Sequence, residues 1–204
     1  GFGRYAGMVG AYNSIRAFGI KFELFKLPKA ETLSGKEALI AHLKRLILPP
    51  LKFVVTGTGN VGSGVKEVLD AIKVKEVSIE NYLTKNYTQS VYTQIHTLDY
   101  NSRIDGKLLG FDDFSKNPQD YTSNFERFTK VSDIYITAHF HANGAPNILT
   151  REMLQASDCK IKVVADISCD IDGSIASSYR TSTIAEPFYG YLPSENKEVD
   201  VFHP

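Results

Sequence analysis

The chain has 204 residues, enough for one good-sized domain or a domain with an appendage. Its 43% hydrophobic and 23% charged residues are ordinary for a soluble globular protein. Twenty-three basic side chains balance 23 acidic ones, which argues against a nucleic-acid or anionic-membrane partner, since both need a basic surface. No apolar run approaches the roughly 20 residues that a membrane span requires. A cytoplasmic location is therefore expected.

Gly1-Phe2-Gly3-Arg4 is not a secretory signal, and no initiator Met precedes it. The chain reads as a piece of a larger protein. Residues 4–18 carry Ala6, Gly7, Gly10 and Ala11 at helical spacing, which predicts a helix whose small-residue face packs closely on another backbone. That partner is either a missing domain or a second subunit, so a homodimer is open. Gly19 is expected to stop this helix, and residues 20–25 alternate weakly, as a strand would. A second helix is expected over 34–48. Ser34 and Glu37 have capping-box spacing, Leu39, Leu43 and Leu46 form a stripe, and Pro49-Pro50 ends it.

Lys52-Phe53-Val54-Val55-Thr56 is a buried-strand run. Gly57-Thr58-Gly59-Asn60-Val61-Gly62 follows at once, and residues 61–72 read as a helix. A short strand is expected near 75–79. Residues 82–128 are polar and rich in Tyr and Phe, which predicts an ordered helical excursion, because flexible linkers lack aromatics. Strands are expected at 133–138 and 161–167, with a helix from Thr150, as its cap, to Gln155 between them. The alternation implies an α/β fold: a Rossmann-like, doubly wound, mostly parallel sheet with a helical excursion. Residues 1–50 form leading helices and 51–204 the core, the whole chain making one dinucleotide-binding domain.

The glycine motif has strand before it and helix after it, the context that gives the pattern meaning. Gly57 permits the tight turn, Gly59 lets a pyrophosphate approach the backbone, and Gly62 lets helix and strand pack closely. Free N–H groups of Thr58, Asn60 and Val61 at the helix start suit the phosphates. An acid about 20 residues on would take the ribose hydroxyls. Ser78 and Glu80 are the candidates. Glu80 favours NAD, because a carboxylate repels a 2′-phosphate; with Ser78 in that place NADP is not excluded. Lys85 is the nearest downstream cation.

Two later loops fall at strand ends, where ligands of such sheets bind. In 139–146, His139 and His141 lack a third metal ligand, so His139 is expected to line a ribose or nicotinamide. In 166–174, Asp166, Ser168 and Asp170 suit hydrogen bonds to a ribose or a substrate amine, and no calcium-loop pattern is present. No metal site is expected. Cys159 and Cys169 are too few for a disulfide framework and are expected as reduced thiols near buried strands.

The chain resembles the lysine-forming saccharopine dehydrogenases and the lysine-ketoglutarate reductases, within the alanine dehydrogenase and transhydrogenase superfamily. Four blocks carry the likeness: Phe2-Gly3-Arg4-Tyr5-Ala6-Gly7; Thr56 to Val61; Asp166 to Asp170 with Gly173-Ser174-Ile175; and Thr183-Ile184 with Pro187-Phe188. Phe111-Asp112-Asp113-Phe114 and Pro118 to Tyr121 are similar to the reductases' excursion. The resemblance implies a two-domain amino-acid oxidoreductase that uses a nicotinamide cofactor on saccharopine, lysine and 2-oxoglutarate. Its catalytic acid and base are expected outside this chain, so no catalytic residue is assigned here. An alanine-dehydrogenase-like activity and a non-catalytic regulatory domain are the alternatives.

Overall fold

In the computed structural model, residues 2–139, 144–167, 190–192 and 197–199 are described. The chain opens with a long helix, α1 (Phe2–Lys21). Gly19 does not stop it. A Cβ there would come within 2.3 Å of the Phe25 ring, so this glycine makes room for a neighbour from inside the helix. No strand forms at 20–25; the chain turns back, with Leu24 N–H donating to Gly19 C=O at 3.0 Å. Tyr12 is fully buried, and its hydroxyl donates to Pro28 C=O at 2.5 Å.

Helix α2 (Lys36–Lys44) is shorter than its pattern suggests. Gly35, not Ser34, stands at its N-cap, and no side chain caps it. The stripe residues Leu39 and Leu43 are buried as expected. The helix has ended before Pro49, whose ring disfavours helical backbone at the residue preceding it.

Strand β1 (Lys52–Thr56) leads through the glycine loop into α3 (Asn60–Ala71). Strand β2 (Lys75–Glu76) and α4 (Ile79–Thr84) follow, then β3 (Val91–Ile95). Next come α5 (Thr97–Tyr100), β4 (Asn101–Arg103), α6 (Phe111–Lys116), β5 (Tyr121–Ser123) and α7 (Glu126–Thr129). The described chain continues with β6 (Ile134–Thr137), α8 (Arg151–Gln155) and β7 (Val163–Asp166), and with β8 (Gly190–Leu192) paired antiparallel to β9 (Lys197–Val199). Thr150 caps α8 as expected, accepting from Met153 N–H at 3.2 Å.

Five strands form one sheet in the order β2-β3-β1-β6-β7, and every pairing is parallel. The order reverses at β1, which places a crevice at the carboxyl end of β1 and its neighbours. The expected α/β, Rossmann-like, doubly wound architecture is therefore present.

One correction is substantial. The stretch expected to be a helical excursion contains β3, the strand that pairs with β1 along its whole length, Lys52↔Val91 to Thr56↔Ile95. Val91-Tyr92-Thr93-Gln94-Ile95 is β-branched and aromatic, the composition that suits a pleated, buried surface. The excursion proper is residues 97–129, a set of short helices around the β4–β5 ribbon.

Each sheet face has its own core. Phe53, Val55, Ile134, Ile136, Val163 and Ala165 pack with residues of α1, α2 and α3. Val54, Ile95 and Tyr135 pack with Tyr82, Tyr100, Phe125, Phe128 and Met153. Helix α1 crosses α3 at two glycines: a Cβ on Gly7 would sit 1.9 Å from Val61 O, and one on Gly64 would sit 1.9 Å from Arg4 O. The small-residue face of α1 thus packs on α3 of its own chain.

Candidate functional site

The three motif glycines do different jobs. Gly57 has φ +107°, a left-handed conformation, and a Cβ there would meet Ala138 O at 2.3 Å. Its N–H donates to Ile95 C=O at 2.9 Å and its C=O accepts from Gln94 Nε2 at 2.7 Å. A Cβ on Gly62 would lie 2.2 Å from Gly57 O, so strand and helix touch there. Around Gly59 a Cβ would meet nothing within 4 Å. The first and third glycines are demanded by protein atoms; the second is not. It is the N-cap of α3 and offers no side chain to cap it, so the first-turn N–H groups can meet an anion from outside.

This loop borders a cavity of about 700 Å³, within the range of about 300–1,000 Å³ usual for ligand sites. Gly57, Thr58, Gly59, Asn60 and Val61 form one wall. His96, Thr97 and Tyr100 come from the end of β3 and from α5, and Phe111, Phe114 and Ser115 from α6. Ala138, His139 and Ile167 follow β6 and β7.

The α5 corner is set by a capping box. His96 N–H donates to Asp99 Oδ2 at 3.0 Å, and His96 Nδ1 accepts from Leu98 N–H at 3.2 Å. Helix α6 is held against the β4–β5 ribbon by Asp113. That carboxylate accepts from Tyr121 Oη at 2.7 Å and Asn117 Nδ2 at 3.1 Å, and pairs with Arg103. These bonds, Tyr121 foremost, hold its carboxyl below the usual range. The Phe114 ring meets Tyr121 edge-on at 5.0 Å. The excursion thus delivers aromatic rings to the cavity from a locally braced support.

His139 does reach the cavity. It is 7% exposed, its Nδ1 lies 2.7 Å from Thr56 Oγ1, and its ring is 5.5 Å from that of Tyr100. Asp166 is buried at the end of β7, where its Oδ1 accepts from Thr137 Oγ1 at 2.8 Å; the neighbouring Ile167, not Asp166, lines the cavity.

Ser78 and Glu80 are placed elsewhere. They follow β2, which is separated from β1 by β3 and pairs only with Val91 and Tyr92 at the start of that strand. Ser78 is the N-cap of α4, its Oγ accepting from Asn81 N–H at 3.2 Å, and Glu80 sits in the first turn. Neither lines the cavity. The carboxyl end of β3, the strand beside β1, carries His96 and Thr97, and both line the cavity. Ser168, Cys169, Asp170 and His141 lie outside the described residues. Cys159 is a half-buried free thiol pushed up in pKa by burial. Among the described residues, no three His, Cys, Asp or Glu side chains gather as metal ligands, and no helix is long and apolar enough to cross a membrane.

No family model matches the chain. Among curated proteins it is similar to the alpha-aminoadipic semialdehyde synthase of Arabidopsis thaliana, 26% identical over 98% of this chain and 22% of that protein. The mitochondrial alpha-aminoadipic semialdehyde synthases of Mus musculus and Bos taurus are each 25% identical over 93% of this chain and 25% of theirs. Among solved structures, an L-alanine dehydrogenase aligns with a TM-score of 0.34 and 15% identity, covering 90% of this chain and 43% of that one. The doubly wound fold rests on the strand order above. The chain spans about a quarter of the length of the curated relatives it matches, and over nearly all of its own length it is similar to the alpha-aminoadipic semialdehyde synthases.

Proposed function

We propose that this chain is the dinucleotide-holding domain of an amino-acid oxidoreductase acting at a carbon that bears nitrogen, with lysine and saccharopine as the substrate class. One observation carries the reading: the emptied space at Gly59, at the uncapped start of α3, inside a cavity of dinucleotide scale. The pyrophosphate would lie against residues 57–61, as such loops allow. Tyr100, Phe111 and Phe114 offer flat apolar surface to a base or ring. His139 would meet the cofactor from the β6 side. When bound, a nicotinamide cofactor supplies hydride transfer; the protein's share is binding, orientation and exclusion of water. The amino-acid substrate and the acid–base groups would be met together with another domain, so this chain alone should bind cofactor without turnover.

Calorimetry of the chain with NAD and with NADP tests the reading. The carboxylate that favoured NAD, Glu80, does not line the cavity, so both ligands belong in the titration. Gly59→Val should weaken binding at least tenfold without lowering the melting temperature. Equal binding by wild type and variant would remove the phosphate assignment. Turnover by the longer protein with lysine plus 2-oxoglutarate, but not with pyruvate plus ammonia, would identify the substrate class.

A further inference from the structure

Gln94 carries an amide into a layer built from Phe53, Val55, Ile134 and Ile136. It follows Tyr92 by two residues along β3 and is in register with Val55, so it faces the side covered by α1 and α3. An amide in such a place costs stability unless it is hydrogen-bonded. Its Nε2 donates to Gly57 C=O at 2.7 Å. A carbonyl only accepts, so the nitrogen of this amide is the atom turned to the loop.

The bond completes a pair. Gly57 N–H donates to Ile95 C=O at 2.9 Å, and Gly57 C=O accepts from Gln94. The two peptide planes that meet at Gly57 are thus both anchored to β3, through consecutive residues. Glycine at φ +107° imposes little steric restraint of its own, so a plane left unanchored can turn over. In a planar trans peptide the C=O and the N–H point opposite ways. The Gly57 carbonyl is drawn towards Gln94 and Gly62, where a Cβ would lie 2.8 Å from Gln94 Nε2. The Thr58 N–H therefore points away from both. Thr58 is exposed and lines the cavity. Turned over, the same peptide would present a carbonyl oxygen in place of that N–H and repel an anion.

We propose that Gln94 is a positioning residue for the glycine loop: its bond to Gly57 C=O fixes the Gly57–Thr58 peptide so that Thr58 N–H donates to the pyrophosphate of the dinucleotide. The inference rests on the dinucleotide reading above. Gln94 does not line the cavity, and it acts through that one peptide.

The test compares ligands with and without phosphate on the whole chain. Gln94→Leu, close in size and without a donor, should weaken the dinucleotide that binds about tenfold. Adenosine, which has no phosphate, should stay within about threefold of its wild-type affinity. A role in holding the fold alone would change both ligands alike. Gln94→Glu adds a pH profile. Its ionised carboxylate repels Gly57 C=O, whereas its protonated form donates again. Relative to wild type at the same pH, its dinucleotide affinity should be about tenfold down at about pH 8 and within about threefold at about pH 5. Three results would each overturn the inference and leave the dinucleotide reading standing: a loss below about threefold in Gln94→Leu, an equal loss for adenosine, or a Gln94→Glu deficit that does not shrink in acid. If the wild type binds neither NAD nor NADP, both fall.

Discussion

Under α1 and α3 the sheet is covered by helices whose closest contacts contain no side chains, whereas its other face is covered by rings. On the first face, Gly7 and Gly64 put helix backbone against helix backbone, and Gly62 puts helix against the loop. On the second, Tyr82, Phe125, Phe128 and Tyr135 are fully buried and stack around one another, with Phe125 and Tyr135 rings 4.6 Å apart. Long helices suit the first arrangement because their regular backbones can approach along a line. Short elements such as α4 and α7 bring little backbone to a contact, so bulk must fill the space. One face is intolerant of added atoms, the other of removed ones.

That contrast can be broken most directly at Gly64. Gly64→Val drives a side chain into the Arg4 carbonyl, a backbone atom that has nowhere to move, and should abolish the cooperative thermal transition seen by circular dichroism. A wild-type melt would end the claim that this face is built by omission. Next in size is Phe128→Ala, which removes a buried ring and should cost about 3–5 kcal/mol in urea unfolding while leaving a folded chain. A loss below about 1 kcal/mol would mean the ring layer collapses around the gap.

The alkaline limit is shared between the faces. Burial pushes Tyr12 from 10.0 to about 12, and burial raises Tyr82 further. A raised native pKa gives stability that is full below the unfolded value and is lost as pH climbs through the native one. Stability should therefore be level below pH 10 and fall between pH 10 and 12, with the tyrosinate absorbance of these residues appearing only as the chain unfolds. Early, reversible titration of every tyrosine would contradict their burial. The smallest effect belongs to the edge: Ser78→Ala should cost about 1 kcal/mol through loss of the α4 cap. Glu80→Gln should leave the ratio of NAD to NADP affinity unchanged, and a changed ratio would return Glu80 to the site.

What could be read in the sequence is what is contiguous in it. Lys52 to Ala71 holds strand, loop and helix in one run, and the division of labour among Gly57, Gly59 and Gly62 follows from that order. The strand that flanks β1 could not be read the same way. The strand after α3 is β2, but the strand beside β1 is β3. The two charged residues of β2, both exposed, suit an edge, and Val91 to Ile95 has strand composition. The aromatics around β3 hid it, because they read as one segment. His96, Tyr100, Phe111 and Phe114 reach the cavity only through the capping box and the Asp113 brace, which depend on contacts no spacing rule encodes.

The peptide at Gly57 is gripped from three sides: by Ile95 C=O, by Gln94 Nε2 and by the Ala138 carbonyl against its Cα. Ala138 is also the residue before His139. The glycine loop is therefore in direct main-chain contact with the backbone that carries His139, while the imidazole ring itself is set by its own torsions and by Thr56 Oγ1 at 2.7 Å. A ligand seated on the loop would meet a floor of peptide backbone that cannot swing aside, and a ring beside it that can turn.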